Sequence, residues 1–454
     1  MLDFNSSTPF PEGVISFLDT DLYKLTMQCA VLKYHPDVPV TYAFTNRTPE
    51  KKLSRKAFEW LTTQISKLGN ISLSDDELRY LQTHCKYLNA QYLDFLQEFR
   101  LSPREQIVTT FQPIGDDTGS PDDIGDFQIH VRGKWVDTIL YEIPLLALTS
   151  EAYFRFMDTD WSYDGQEEQA YNKGIELLEA GCITSEFGTR RRRDYHTQAL
   201  VFRGLKRADQ EGEKRGLPGQ ISGTSNVHLA MRFNIPPLSE LWPMSAIENN
   251  YQEATEKALQ RWVGCFGAGV LAIALTDTFG TPAFLEAFSK PVKYLPDTPG
   301  APAAEDGAAS PRTYAEVFTG VRQDSGDPAE FVKLMRKFYD SQGIKSKTIV
   351  FSDSLNIEKC IEYKKVSEEA GFEPTFGVGT FLTNDFVNLK TGKKSSPMNI
   401  VIKLSSADGN PAIKISDNAG KNTGDQEKVN EVKKQLGYQE KEWEEGDETA
   451  RWGK

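Results

Sequence analysis

Two short clusters in this chain combine the residue types that hold phosphate. Ser352-Asp353-Ser354-Leu355-Asn356 and Gly377-Val378-Gly379-Thr380 offer small residues whose backbone N–H groups can approach an anion, with hydroxyls to donate further bonds. At a helix amino terminus such turns also gain partial positive charge. Read singly, they are more often plain helix caps. The run Arg322-Gln323-Asp324-Ser325-Gly326-Asp327 adds charge. Arg322 can grip a carboxylate in bidentate fashion. Asp324 and Asp353 can bind ribose hydroxyls or Mg2+, which takes carboxylate and phosphate oxygens. The plain alternative is a surface ion pair beside a helix cap, and Asp327 reads as that cap. In Glu186-Phe187-Gly188-Thr189-Arg190, the aromatic ring and the guanidinium suit a flat aromatic acid, stacked on Phe187 and paired in charge with Arg190. The alternative for Phe187 is a place in the core, and the basic run Arg190 to Arg193, taken alone, reads as a solvated loop.

These clusters need elements to position them. From about residue 180 onward a short apolar run ends in a small polar or glycine-rich cluster, and an amphipathic helix follows. The cycle recurs as CITSEFGTRRR, GQISGTSNVHLAMRF, LAIALTDTFGTPAFLEAF, VFTGVRQDSGDPAEFVKLM, KTIVFSDSLNIEKCIEY and PTFGVGTFLTND. Six such units predict a parallel sheet with crossover helices, closed or open. In a (β/α) barrel the active site lies on the loops at the carboxyl ends of the strands, with a phosphate site after the last two. The unusual clusters all fall at that place. Asp327-Pro328 opens one helix, with Glu330 completing a capping box and Phe331, Leu334, Met335 and Phe338 on the buried face. Thr281-Pro282 is expected to open another in the same way. Residues 1–150 read as an α+β domain, with helical spacing over Leu18 to Leu32, a strand over Val38 to Asn46, helices over 54–98 and a hairpin turning near Gly133. Residues 151–399 form the α/β unit. IVIKLSSADGNPAIKIS reads as a hairpin turning at Asp408-Gly409, and the segment of about 400–440 joins the first domain. Residues 294–312, rich in Pro, Ala, Gly and Asp, read as a mobile insertion, and 441–454 as a disordered tail.

Bulk properties exclude several function classes. The chain has 454 residues and a formal net charge of −13, which argues against a generic nucleic-acid surface. The longest apolar stretch, Trp262 to Leu275, is too short to cross a bilayer and reads as a helix end running into a buried strand. The amino terminus has neither the basic nor the apolar region of a secretory signal. Five scattered cysteines without a CxxC pair predict reduced thiols and a cytoplasmic setting; the nucleus is a second expected compartment on which cysteine usage does not bear.

The ordered set LDTDLYKLTMQ, SEFGTRRR, GTSN, TDTFGT, GVRQDSGDP, FSDSLN, FGVGTFLTND and NIVIKL…AIKISDN resembles the eukaryotic, fungal-type nicotinate phosphoribosyltransferases, in colinear order over roughly residues 10 to 440. The resemblance implies a type II phosphoribosyltransferase fold, an irregular (β/α) barrel packed on an α+β domain. It implies homodimers with a shared active site. The family reaction turns nicotinate and phosphoribosyl pyrophosphate into nicotinate mononucleotide and pyrophosphate in NAD salvage, with ATP as co-substrate and Mg2+. Carried onto this sequence, Phe187 and Tyr23 sandwich the pyridine ring, Tyr23 coming from the partner subunit. Arg190 and Arg322 face the carboxylate or nearby phosphates. Asp324 and Asp277 lie near the ribose, and Ser354, Gly377, Gly379 and Thr380 hold the 5′-phosphate. Thr224, Ser225, Ser325 and Asp353 complete the binding set, with Asp324 and Asp353 as metal ligands.

One departure matters. The family carries a histidine, phosphorylated by ATP, in a segment after the GTSN strand. The corresponding Pro237 to Met244 is shorter and has no histidine; the five in the chain are His35, His84, His130, His196 and His228. Imidazole near neutral pH is what makes a labile phosphoryl carrier, so a hydroxyl such as Ser239 is no equivalent. Three readings stay open: a gene-model error around 236–246, transfer without ATP coupling, or a catalytically impaired, ligand-binding paralogue or dimer partner. A further alternative keeps the chemistry and changes the base to nicotinamide or quinolinate.

Overall fold

A computed structural model describes residues 10–237, 251–302, 312–417, 422 and 424–438. The segment 238–244, residues 303–311 of the insertion and the tail lie outside the described residues.

The first part of the chain forms β1 (Pro39–Asn46), β2 (Leu53–Ser54), β3 (Ile107–Pro113) and β4 (Ile124–Lys134). The α/β units supply β5 (Ile183–Glu186), β6 (Gln220–Thr224), β7 (Ile273–Leu275), β8 (Gly320–Gln323), β9 (Thr348–Phe351) and β10 (Glu373–Val378). A small hairpin, β11 (Phe386–Val387) and β12 (Lys394–Ser395), precedes β13 (Ile400–Ala407) and β14 (Asn410–Pro411).

The first sheet runs β14-β13-β1-β4-β2, with β3 along the opposite edge of β4. All its pairings are antiparallel, and one face is covered: β4 alternates exposed and buried residues along its length. That alternation runs unbroken past the glycine expected to make a hairpin. Gly133 lies inside β4, opposite Val40 of β1, and the β3–β4 connection comes earlier. The carboxyl-terminal strand β13 adds to β1 in the register Phe44 to Ile402 and Ala43 to Lys403. Asp408 and Gly409 take positive φ at the β13–β14 turn, as a two-residue hairpin requires.

The second sheet is wholly parallel in the order β6-β5-β10-β9-β8-β7. Its strands are short and mostly buried on both faces, β8 throughout, as helices on either side demand. Each strand ends at one edge of the sheet, so the six following loops share that edge.

Two helices differ from expectation, one in its buried face and one in its cap. Asp327 caps the helix Pro328–Ser341 through the N–H groups of Ala329 and Glu330, but Leu334 on that helix is exposed; Val332 and Tyr339 take its place against the core. The helix Thr281–Phe288 is not capped by its own Thr281. The carboxylate of Asp417 accepts the Thr281 N–H at 2.9 Å and the Thr281 hydroxyl. The capping group therefore arrives from the far end of the chain. A small core of Ala254, Phe279, Ile413, Ile415, Val429 and Val432 holds that segment down. No helix among the described residues is long and apolar enough to cross a membrane, and all five cysteines are free and buried.

Candidate active site

Each strand of the parallel sheet delivers a candidate side chain at its carboxyl end. Phe187 directly follows β5, and its N–H donates to the Val378 carbonyl of neighbouring β10 at 2.8 Å. The Phe187 ring lies on Gly377, where any Cβ would overlap it, and its carbonyl lies close to Gly379. These two glycines thus seat the aromatic ring as well as shaping a turn. Thr380 is buried and starts the helical turn after Gly379.

At the end of β8, Arg322 is buried and held along one edge. Its Nε donates to the Ser352 hydroxyl at 2.7 Å and one Nη donates to Asp324 Oδ1 at 2.8 Å. Ser352 also donates to Asp324 at 3.0 Å, so a triad joins the loops after β8 and β9. Beside it, Ser354 donates to Asp353 at 3.0 Å. Ser354 has φ of 50°, a left-handed pose that costs a non-glycine residue about 1–3 kcal/mol and persists where the surroundings impose it. Asp277, after β7, is buried and accepts from Ser325 at 2.6 Å and from Ser416 at 3.3 Å.

Tyr23, Arg190, Thr224 and Ser225 gather at the other end of the row. Arg190 lies 4.0 Å from Asp21 and 3.7 Å from Glu142, with its guanidinium 5.7 Å from the Tyr23 ring centroid. The Tyr23 hydroxyl donates to Glu142 at 3.2 Å, and Lys24 pairs with the same carboxylate. Ser225 donates to Asp21 at 2.8 Å and Thr224 to Glu186 at 2.8 Å. Within the chain Tyr23 meets Arg190 because the Leu22 N–H donates to the Ser225 carbonyl and anchors the start of the helix Leu22–Tyr34 at the loop after β6.

The basic run also differs from a solvated loop. Arg192 is buried, bound to Asp19 by two 2.7 Å bonds. Arg193 is buried between the rings of Phe154 and Phe386, at 3.7 and 4.0 Å, and burial pulls its guanidinium down to about 9. Arg191 donates to the Ile400 carbonyl at 3.2 Å and to Asn399 at 3.0 Å, which leaves Arg190 with its partly exposed head beside the candidate residues.

Three cations escaped the motif reading. Lys414 lies 2.9 Å from Asp277 and 3.8 Å from Asp324. Lys403, on β13, shares the electrostatic surroundings of Lys414, Arg47, Asp324 and Glu142. Burial, then the Lys414 and Arg47 charges, push Lys403 down to about 7, and among the described residues its ammonium makes no hydrogen bond or ion pair. Arg47 follows β1. Arg47 and Lys403 come from opposite ends of the chain in the first sheet and Lys414 from the segment after β14, so no single stretch of sequence displays them. The only signal was the alternation of Lys403 in NIVIKL, which a solvated strand face explains equally well.

His228 is no phosphoryl acceptor in waiting. It is buried, with Ser16 Oγ 2.9 Å from Nδ1 and the Tyr195 hydroxyl 3.2 Å from Nε2. Among the described residues no group of three or more His, Cys, Asp and Glu side chains is placed to hold a metal by itself.

Comparison with known proteins then decides the family. Residues 18–150 match the model of the nicotinate phosphoribosyltransferase N-terminal domain and residues 182–440 that of the nicotinate phosphoribosyltransferase family. The chain belongs to the nicotinate phosphoribosyltransferase family. It is 44% identical to the "Probable nicotinate phosphoribosyltransferase" of Schizosaccharomyces pombe, over 93% of this chain and 98% of that one. Identity to the nicotinate phosphoribosyltransferase of Saccharomyces cerevisiae is 42%, over 96% and 98%. The crystal structure of the S. cerevisiae protein superposes with a TM-score of 0.85 at 41% identity, covering 94% of this chain and all of that one. A nicotinate phosphoribosyltransferase structure from Porphyromonas gingivalis gives a TM-score of 0.78 at 30% identity. The type II phosphoribosyltransferase fold inferred from the motifs is the fold of this family.

Proposed function

We propose that the chain joins nicotinate to the anomeric carbon of phosphoribosyl pyrophosphate, releasing pyrophosphate, as a step of NAD salvage. The observation that carries this reading is the Phe187 ring seated on Gly377 in the same row of loops as Arg190 and Arg322, with Lys414 reaching that row through Asp277 and Asp324. A flat anionic base stacks on the ring, and a polyanion meets the cations. Tyr23 covers the base from the helix Leu22–Tyr34. Arg190 and Arg322 take the carboxylate and neighbouring phosphates, and the turns at Ser354 and Gly377–Thr380 take the 5′-phosphate. Asp324 and Asp277 lie by the ribose hydroxyls, each already oriented by a lysine or arginine. As pyrophosphate departs, C1 gains oxocarbenium character. What the chain supplies is the position of the ring nitrogen and fixed positive charge around the leaving group.

Asp324 and Asp353 supply the hard oxygen donors Mg2+ takes, with substrate phosphates completing its shell. When bound, the ion neutralises charge on the departing pyrophosphate. Arg322, Ser352 and Lys414 orient Asp324 for that task. For ATP, both nitrogens of His228 are occupied and the segment corresponding to the family's phosphorylated histidine has none, which supports transfer without a phosphohistidine.

Purified protein should form nicotinate mononucleotide and pyrophosphate from nicotinate, phosphoribosyl pyrophosphate and Mg2+, with or without ATP, and should discriminate against nicotinamide and quinolinate. Absence of product under both conditions would sink the reading. A stable phosphoenzyme from labelled ATP would sink the uncoupled version of it.

A further inference from the structure

Glu186 ends β5 and directly precedes Phe187. It is fully buried, and its immediate donors are neutral. The Gly188 N–H reaches its Oε1 at 2.5 Å, the Gln198 amide donates to both oxygens at 3.0 and 3.1 Å, and the Thr224 hydroxyl donates to Oε2 at 2.8 Å. These donors come from three different places: the loop that carries Phe187 and Arg190, the helix Tyr195–Arg215, and the end of β6. Gln198 accepts in turn from Arg192 at 3.0 Å, and Arg192 is clamped to Asp19. Asn226 donates to Asp19 at 2.9 Å and to Thr189 at 3.3 Å. The network therefore lies directly beneath the stacking loop. A Cβ on Gly188 would overlap Thr383 and lie 2.7 Å from Glu186 Oε1, so the loop is pressed onto the carboxylate.

We propose that Glu186 is a positioning residue for the base-binding loop: as a carboxylate it accepts from Gly188, Gln198 and Thr224 and so holds Phe187 and Arg190 in the pose that receives an aromatic acid, without touching the substrate. This rests on the phosphoribosyl-transfer reading above. The charge state matters because every neighbour donates. A protonated Glu186 can place its O–H only on the Thr224 hydroxyl, which then has to turn away, and it becomes a weaker acceptor for the Gly188 and Gln198 N–H groups that hold the loop. The charged groups facing this site are Asp21, which lies within electrostatic reach of Glu186, Arg190 beside Asp21, and the Asp19–Arg192 pair acting through Gln198. Burial, reinforced by Asp21 and opposed by the three hydrogen bonds, pushes Glu186 up to about 7. The folded chain thus favours the proton while the loop's pose needs the carboxylate.

Steady-state kinetics of the parent and E186Q at saturating phosphoribosyl pyrophosphate, between pH 6 and 8.5, test this. E186Q should raise the KM for nicotinate about tenfold, the worth of one good hydrogen bond, and leave the KM for phosphoribosyl pyrophosphate within about twofold. Its unfolding temperature at pH 8 should not fall. The parent's KM for nicotinate should climb as pH drops through about 7, and E186Q should be flat over the same range. An unchanged nicotinate KM overturns the proposal, as do equal rises in both KM values accompanied by a lower unfolding temperature. If the parent forms no product, the functional reading fails and amide exchange decides Glu186 separately. E186A should then speed exchange over residues 187–190 and spare 352–355; equal exchange in both segments overturns the proposal.

Discussion

Lys403 carries the most tension of any single residue at the site. It sits on a strand whose inner neighbours Ile402 and Ile400 are buried, and its surroundings include two other cations. Because its folded value is lowered to about 7 from an unfolded value near 10.4, the unfolded chain binds more protons between those limits. Stability from this group therefore rises as pH climbs from about 7, and below 7 the folded chain bears the full cost of the buried ammonium. A pyrophosphate group would supply the missing counter-charge and pull the proton back on. K403M should accordingly raise the unfolding temperature at pH 7 while weakening pyrophosphate binding by an order of magnitude or more. Calorimetry at pH 8 in buffers of different ionisation enthalpy should show proton uptake on binding to the parent that K403M loses. Equal uptake by both proteins would remove Lys403 from the anion site.

Elements rather than residues hold the row of loops in register, and the carboxyl-terminal segment is their clasp. After β14 the chain crosses to the parallel sheet, where Lys414 meets Asp277, Ser416 donates to Asp277, and the Asp417 N–H donates to Ser325 at 3.1 Å. The Asp417 carboxylate then caps the helix after β7. Burial, with the nearby Asp277 charge, lifts Asp417 to about 6. The folded state therefore prefers it protonated, and the carboxylate is held at a cost above about pH 6. D417A should lower stability by about 1–2 kcal/mol through the lost cap. D417N, which keeps an accepting oxygen and carries no charge, should lose distinctly less at pH 8. Urea unfolding at that pH compares them directly. Identical losses would mean that the cap contributes nothing beyond filling space.

For the whole molecule, the position of Tyr23 bears on assembly. Tyr23, its Glu142 partner and Arg190 meet within one chain, and we propose that each chain supplies the aromatic cover of its own site. Specific activity should stay constant on dilution through any dimer–monomer transition, followed by light scattering alongside initial rates. Loss of activity in step with dimer dissociation would show that a partner supplies something the single chain lacks. The homodimer expected from the resemblance is thus separated from the question of which chain brings Tyr23.

Much of the architecture was legible because it depends on local order. Strand, cluster and helix recur within short stretches, and a parallel sheet built from such units must place its loops at one edge. Phe187, Arg322, Asp324, Ser354 and Gly377 could therefore be assigned to a common edge from sequence alone. What sequence could not display was pairing across hundreds of residues. Lys403 and Lys414 come from the far end of the chain, Asp417 replaces the cap that Thr281-Pro282 suggested, and Arg192 and Arg193 are buried because distant Asp19 and the rings of Phe154 and Phe386 receive them. Gly133 misled for the opposite reason: a glycine looks like a turn locally, while its place beside Val40 in β4 is settled by strand pairing. Local periodicity encodes elements, whereas the charge around a buried group depends on which elements meet, and only the tertiary structure decides that.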